Sequence, residues 1–133
     1  MNTIDCKTET PNAFPQIVTT RKHSFRADVT EASGSTDSAP GPHDYFDAAL
    51  ASCKALTARW YARKNDMALE TVDVHVERDD AQERTGTYVL RVRVEFHGDK
   101  LSDDDKKRLA AAVAKCPIHK LMTTTDVVIE TLS

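Results

Sequence analysis

Apolar and polar residues alternate in several segments of the chain, and this two-residue period predicts β-strands. In residues 69–79, LETVDVHVERD, three valines fall on one face, and residues 87–98, TYVLRVRVEFHG, repeat the pattern. The loop DAQERTG separates the two segments, so together they predict an antiparallel hairpin with one dry side. Residues 16–29 predict two short strands or a hairpin, and residues 126–132, DVVIETL, predict a final strand.

A different period, of three and four residues, predicts a long helix over residues 43–64. His43 or Asp44 is expected to cap its start, because a polar side chain at that point can satisfy a free backbone amide. Cys53 lies in the middle of the predicted apolar stripe. The residues of that stripe are Phe46, Ala49, Leu50, Cys53, Leu56, Thr57 and Trp60.

Two shorter helices are predicted toward the end of the chain. Ser102 followed by Asp105 resembles a capping box, and apolar residues then recur at helical spacing as far as Cys116. Pro117 disfavours helical geometry at the residue before it and fits the first position of a new helix. We therefore expect one helix to end at Cys116 and a short third helix, PIHKLMTT, to be capped by that same residue.

Residues 31–42, EASGSTDSAPGP, are rich in Gly, Ser, Asp and Pro and predict a long loop. The loop separates a β-rich N-terminal part from the long helix. Strands, helix, strands, helices and a strand in this order are typical of an α+β fold, with a mostly antiparallel sheet wrapped around the apolar helix. At 133 residues, the chain has the length of a single domain, 1–133, with one modest core.

Composition and charge make several classes of partner unexpected. The chain has 18 Lys and Arg against 21 Asp and Glu, and its basic residues form no dense cluster, so we expect no nucleic acid partner. The longest apolar run, LAAAVA, is too short to cross a bilayer, and we expect no membrane partner. The first residues lack the features of a secretory signal, so we expect a cytoplasmic location.

Three cysteines, Cys6, Cys53 and Cys116, are the candidate reactive groups. Their odd number and wide spacing argue against a disulfide framework and against a CxxC motif. A thiol on an apolar helix face, as expected for Cys53, is usually an inert buried side chain. Cys116 differs, because a thiol at a helix start faces free amides that favour the thiolate, although a cysteine can also occupy such a cap because it fits.

The residues alone leave two kinds of chemistry to weigh. If Cys53 and Cys116 came together, one thiolate could attack a peroxide, and the resulting sulfenic acid could condense with the other thiol to a disulfide. Cys116 and His119 are the only close-spaced pair of zinc ligands; the second pair is missing, and we expect no metal. Sequence spacing does not decide whether the two thiols meet.

Two segments of the chain resemble the OsmC/Ohr superfamily of osmotically inducible and organic hydroperoxide resistance proteins. GPHDYFDAALASCKALTARWYARKNDMALETVDVHVE resembles its central-helix segment, where a Pro-containing loop leads into an alanine- and leucine-rich helix that carries a cysteine. KCPIHKLMTTTDVVIET resembles its second cysteine segment. The order of the elements agrees over nearly the whole chain except residues 1–12, which we expect to form a loosely ordered N-terminal extension.

The resemblance implies an α+β protomer, an intertwined homodimer and thiol-dependent reduction of organic hydroperoxides. It matches Cys53 to the peroxidatic cysteine and Cys116 to the resolving cysteine. The implied partners are a second copy of the chain, a small-molecule hydroperoxide and an external dithiol reductant, and no cofactor is implied.

The same resemblance indicates which residues organise the reactive thiol. In the family's peroxidases an arginine from the N-terminal strands has this role, and Arg21 and Arg26 are the candidates. A glutamate near the start of the central helix also takes part; its place falls at His43, beside Asp44, so the pattern is more similar to the broader OsmC-like branch than to the dedicated Ohr enzymes. His119 is a candidate neighbour that tunes the thiol of Cys116.

Two other hypotheses use the same fold without peroxide chemistry. In one, a non-catalytic dimer binds a small apolar or thiol-reactive ligand in the pocket of Cys53. In the other, both thiols only fill space in the core. The distance between the two sulfurs and the charges around Cys53 distinguish these hypotheses from the peroxidase.

Overall fold

The computed structural model describes residues 2–132 and has the predicted α+β composition. These residues form two compact units, one up to Phe46 and one from Asp47 onward. The number of domains in the functional sense stays a prediction. The order of the strands and helices is β1 (Asp5–Thr8), β2 (Gln16–Thr20), β3 (His23–Ala27), α1 (Pro42–Lys64), β4 (Thr71–Asp79), β5 (Val89–His97), α2 (Asp103–Val113) and α3 (Pro117–Thr123).

The first unit is built on a three-stranded antiparallel sheet in the order β1-β2-β3. The hairpin predicted over residues 16–29 is confirmed as β2 and β3, with Val18 opposite Phe25. β1 is a strand that the sequence pattern did not predict, in a segment where loose order was expected. Its four residues are all exposed, so no apolar alternation marks it, and its pairing with β2 defines it instead.

The loop predicted over residues 31–42 is confirmed, with a single 3-10 turn at Glu31–Ser33. Asp28, at its start, is buried and holds the loop by accepting hydrogen bonds from the amides of Val29 and Ser38, at 2.7 and 2.8 Å. Hydrogen bonds from the hydroxyls of Ser35 and Ser38 lower the pKa of Asp28 well below its usual range. The charged carboxylate is therefore the form that organises this loop.

The start of α1 differs in detail from the prediction. The helix begins at Pro42, whose ring suits the first helical position. His43 and Asp44 therefore lie inside the first turn and do not occupy the cap position before it. Instead the Asp44 carboxylate accepts a hydrogen bond from the Gly41 amide at 2.9 Å. Asp44 thus closes the helix start from inside the first turn, as the acidic member of a capping box does.

The second unit contains the predicted hairpin, which is confirmed as β4 and β5. The pattern of partly buried and exposed residues alternates along both strands, as expected for a hairpin with one dry side. Each apolar residue of β4 faces an apolar residue of β5. These pairs are Val72 with Phe96, Val74 with Val94 and Val76 with Val92.

The buried face of α1 matches the predicted stripe only in part. Residues four apart, starting at Leu50, are buried along the helix, whereas Leu56 and Trp60 from the predicted stripe are 69% and 62% exposed. The buried face packs into a core with residues from the hairpin and from α2. The residues of this core are Ala58, Ala62, Leu69, Phe96, Leu101, Leu109 and Val113.

Both short helices form, but α2 ends earlier than predicted. Ser102 caps it by accepting a hydrogen bond from the Asp105 amide at 3.0 Å, as the sequence indicated. The helix ends at Val113 rather than at Cys116, because the chain needs a turn before Pro117 can start α3 in a new direction. Cys116 has extended geometry and caps α3, as predicted.

Residues 126–132 form no strand, which corrects the prediction for this segment. A strand needs hydrogen bonds to a neighbouring strand, and none of the strands within residues 2–132 pairs with it. Its apolar side chains are strongly exposed, from 63% for Val127 to 90% for Leu132. No helix in the described part of the chain is both long and apolar enough to cross a lipid bilayer.

Candidate functional site

Cys53 lies near the middle of α1, where the long helix presents it toward the start of α3. Its thiol is only partly buried. The sulfur accepts a hydrogen bond from the Ile118 amide at 3.5 Å and lies 3.9 Å from the Thr57 hydroxyl. Backbone amides that point at a sulfur favour its thiolate over its thiol.

Cys116 is fully buried at the start of α3, with no exposed surface. Its sulfur accepts a hydrogen bond from the His119 amide at 3.4 Å. Burial raises the pKa of the Cys116 thiol, and the neighbouring Cys53 side chain raises it further, while the His119 amide and the charge of Lys54 act in the opposite direction. Burial has the largest effect, so the pKa of Cys116 lies above its usual value despite these contacts.

The structure brings together the two cysteines predicted to act as a pair. Consecutive amides of α3, from Ile118 and His119, donate to the sulfurs of Cys53 and Cys116, respectively. The Cys53 side chain is near enough to raise the pKa of the Cys116 thiol, and both cysteines are free thiols. Cys6 is exposed on β1, in the other unit.

A large cavity opens beside this pair. It has a volume of about 1040 Å³, and Cys53 forms part of its wall, whereas Cys116 does not. The wall is mainly apolar, with Leu56 and Trp60 from α1, and it also carries Arg108 and Lys115. A small molecule with an apolar body can therefore reach Cys53 from the cavity while Cys116 stays behind it.

Lys54, which the sequence analysis did not single out, is buried next to the two thiols, with 5% of its surface exposed. Its ammonium donates a hydrogen bond to the Val113 carbonyl at 2.9 Å and contacts Nδ1 of His119 at 3.2 Å. No sequence signal marked it, because Lys54 is outside the predicted apolar stripe and only the structure shows it buried four residues from both Leu50 and Ala58. A lysine at such a position needs internal partners.

The remaining predicted residues lie in the first unit. Arg26 forms an ion pair with Glu9 at 2.7 Å and donates to the Ser38 carbonyl, so its charge has a carboxylate partner within that unit. Arg21 is exposed in the turn between β2 and β3, with a positive φ of 52°. His43 and Asp44 occupy the first turn of α1. A role for any of them in organising the thiol stays a prediction.

The His119 ring faces Lys54 through Nδ1. Because an ammonium has donors and no acceptor, Nδ1 is the acceptor in this contact. Within residues 2–132, no three side chains of His, Cys, Asp or Glu gather as a set that could hold a metal ion. His119 thus contacts the buried Lys54 through its ring and donates a hydrogen bond to the Cys116 sulfur through its backbone amide.

Comparison with solved structures shows where this fold recurs. A proposed osmotic stress induced and detoxification response protein from Psychrobacter arcticus superimposes with a TM-score of 0.76 at 16% identity, over 93% of this chain and 90% of that one. An OsmC-like protein from Mycoplasma pneumoniae gives 0.72 at 18%, over 93% and 88%. The organic hydroperoxide resistance protein OhrB of Bacillus subtilis gives 0.58 at 16%, over 93% and 91%.

Sequence comparison gives a consistent assignment. A search of curated proteins found no significant match. The family model described as OsmC-like protein matches residues 34–131, which include α1, both cysteines of the pair and the hairpin. The chain therefore belongs to the OsmC-like family, within the OsmC/Ohr superfamily.

Proposed function

We propose that this protein is a cysteine-based peroxidase that reduces organic hydroperoxides, with Cys53 as the attacking thiol and Cys116 as the resolving thiol. One observation carries the proposal: two interacting free thiols, of which only Cys53 lines a large apolar cavity. The name of the Bacillus subtilis relative, an organic hydroperoxide resistance protein, agrees with this chemistry.

The first step oxidises Cys53. Its thiolate sulfur attacks the terminal oxygen of the hydroperoxide, so an S–O bond forms, the O–O bond breaks, and two electrons pass from sulfur to the peroxide. The proton that the thiol lost returns to the departing alkoxide, which leaves as an alcohol. The apolar wall of the cavity favours substrates with an alkyl or aryl body over hydrogen peroxide, since it offers that body a dry surface.

The second step uses Cys116. Its thiol condenses with the sulfenic acid on Cys53, which forms an S–S bond and releases water. An external dithiol then reduces this disulfide by exchange, becomes a disulfide itself and restores both thiols. Each cycle thus converts one hydroperoxide and one dithiol into one alcohol, one water and one disulfide, with no cofactor.

The test is rapid mixing of reduced protein with cumene hydroperoxide or hydrogen peroxide. We expect consumption of one organic peroxide per chain without added reductant, continued turnover with a dithiol, and a Cys53–Cys116 disulfide in the peptide map. Hydrogen peroxide should react more slowly. Failure to consume either peroxide, together with stabilisation against heat by apolar compounds, would instead identify a non-catalytic ligand-binding protein.

We also propose that the protein is a homodimer, because the described chain leaves apolar side chains exposed and strand edges unpaired. Residues 126–132 have the alternation of a strand, yet Val128 and Ile129 are 76% and 89% exposed. The sheet of β4 and β5 has two strands and therefore two open edges. A second copy can supply the backbone hydrogen bonds that residues 126–132 need to form a strand. It can also cover their exposed apolar side chains, as in an intertwined dimer.

Sedimentation of the intact chain should give twice the 14.8 kDa mass of one chain. A variant that ends at Thr125 loses the exposed apolar segment, and we expect it to shift toward the mass of a single chain at low concentration. An intact chain that sediments as a monomer at micromolar concentration would exclude the dimer. Dimerisation unchanged by the truncation would assign the contact to another surface.

A further inference from the structure

Within the part of the chain that the structure describes, Lys54 is the one charged side chain buried next to the two thiols. Its stem lies on the face of α1 that is packed in the core, and its ammonium reaches the end of α2 and the ring of His119. Among residues 2–132, no aspartate or glutamate lies within ion-pair distance of it. The buried charge is therefore held by a carbonyl and an imidazole, without an anion.

A buried ammonium without a carboxylate is costly unless another group supplies negative charge. The ionisable groups of opposite sign near it belong to the thiol pair: the charge of Lys54 acts on Cys116, and Cys116 is in turn affected by Cys53. In a medium of low dielectric constant, a cation at this place favours the thiolate form of the Cys116 sulfur. The charge of Lys54 and the ionisation of the thiol pair are thus coupled.

Other positive groups near the pair are less suited to this role. Arg108 lies 3.8 Å from the Asp105 carboxylate, and its guanidinium is 6.0 Å from the centre of the Tyr61 ring. Lys115 lines the cavity but is exposed, so water and salt screen its charge. Lys54 is both buried and without a carboxylate.

His119 fixes where the ammonium sits. Nδ1 accepts a hydrogen bond from Nζ of Lys54, and the amide of the same residue donates to the sulfur of Cys116. One residue therefore contacts both the cation and a thiol. A neutral imidazole in this contact carries its proton on Nε2, because Nδ1 is the acceptor.

We propose that Lys54, positioned by His119, is the cation that stabilises the thiolate of the Cys53–Cys116 pair. The proposal deepens the proposed peroxidase function and rests on it for its purpose, since a peroxidatic cysteine reacts as the thiolate. The role expected for Arg21 or Arg26 stays a separate prediction. Lys54 and His119 are positioning residues, because they act through the sulfurs.

The test is the pH dependence of alkylation of Cys53 by iodoacetamide, followed by peptide mapping in the absence of peroxide. Lys54→Met keeps the length and the apolar stem but removes the charge. We expect its half-maximal alkylation to move up by about one pH unit, which makes Cys53 about tenfold slower to react near neutral pH. Cys6, exposed in the other unit, is the internal reference and should not move.

Matched variants separate charge from packing. Lys115→Met removes an exposed cation from the same cavity and should shift the midpoint much less. His119→Asn keeps an acceptor near the place of Nδ1 and should stay close to the unsubstituted protein, whereas His119→Leu removes it and should shift the midpoint in the direction of Lys54→Met. Lys54→Met should fold, because the Val113 carbonyl keeps its hydrogen bond from the Cys116 amide when the Lys54 ammonium is removed.

An unchanged alkylation profile in Lys54→Met, or a larger shift in Lys115→Met, would overturn the proposal. Alkylation requires no peroxide, so its outcome is independent of the peroxidase assay. A shifted profile in a protein that consumes no peroxide would support the role of Lys54 and defeat the proposed function. Peroxide turnover with an unshifted alkylation profile would support the proposed function and defeat the role of Lys54.

Discussion

Replacing Cys53 by serine should reduce consumption of organic hydroperoxide to the uncatalysed background, a loss on the order of a thousandfold or more. A serine hydroxyl is not ionised near neutral pH and is a far weaker nucleophile than a thiolate, so it should not attack the peroxide oxygen. The variant keeps a small polar side chain at the Ile118 amide, which preserves the local structure.

Cys116→Ser is the matched variant, and it should fail at a different step. Cys53 still faces the cavity, so this variant should consume one peroxide per chain and then hold a sulfenic acid on Cys53 that dimedone traps. No intramolecular disulfide can form. The structural reason for this assignment of roles is access: Cys53 lines the cavity, whereas Cys116 is fully buried and has a raised pKa.

Single-turnover mixing with mass analysis of the dimedone adducts decides between these steps. Peroxide consumption at an unchanged rate in Cys53→Ser would end the proposed mechanism. A sulfenic acid trapped on Cys116 in that variant, with no reaction in Cys116→Ser, would reverse the two roles. Neither outcome would change the description of the fold or of the cavity.

Leu109→Ala should lower the free energy of unfolding by about 2–5 kcal/mol, since it removes a fully buried side chain and leaves a cavity that its neighbours cannot fill. Leu109 has no exposed surface and lies in the core where α2 meets the hairpin and α1. The measurement is urea denaturation followed by circular dichroism at a fixed protein concentration, because dimerisation would make the apparent stability depend on concentration.

Leu109→Met is the control at the same position. It conserves most of the volume and should cost less than about 1.5 kcal/mol. Equal effects of the two substitutions would indicate that loss of shape, rather than loss of buried volume, dominates. A loss below about 1 kcal/mol in Leu109→Ala would contradict the complete burial of this residue, given the usual cost of such a change.

The strands and helices were predictable wherever one physical pattern dominated. In β4 and β5 apolar residues recur at every second position, from Val72 to Val76 and from Leu90 to Phe96, and only one strand register puts both apolar sets on the same side. Pro117 at the start of α3 likewise forced a break in the helix, so the capping role of Cys116 followed from local geometry. β1 was missed because its residues are all exposed and carry no apolar alternation.

The buried face of α1 was beyond prediction because the helix is apolar on more than one side. The apolar stripe that was predicted to face the core contains Leu56 and Trp60, which are exposed in the described chain. The core instead contacts the side with small alanines, which allows the hairpin and α2 to approach the helix closely. Which apolar side is covered depends on the partner element, and no period in the sequence encodes that partner.

The sequence by itself determined the α+β class, the hairpin, the cap at Cys116 and the membership of the OsmC-like family. Only the tertiary structure placed Cys53 against the start of α3, and only it made Lys54 a buried cation beside the thiols. The reason is distance along the chain: Lys54 meets Val113 and His119 across 59 and 65 residues. Local propensities act over a few residues, whereas such contacts exist only after the helices have packed.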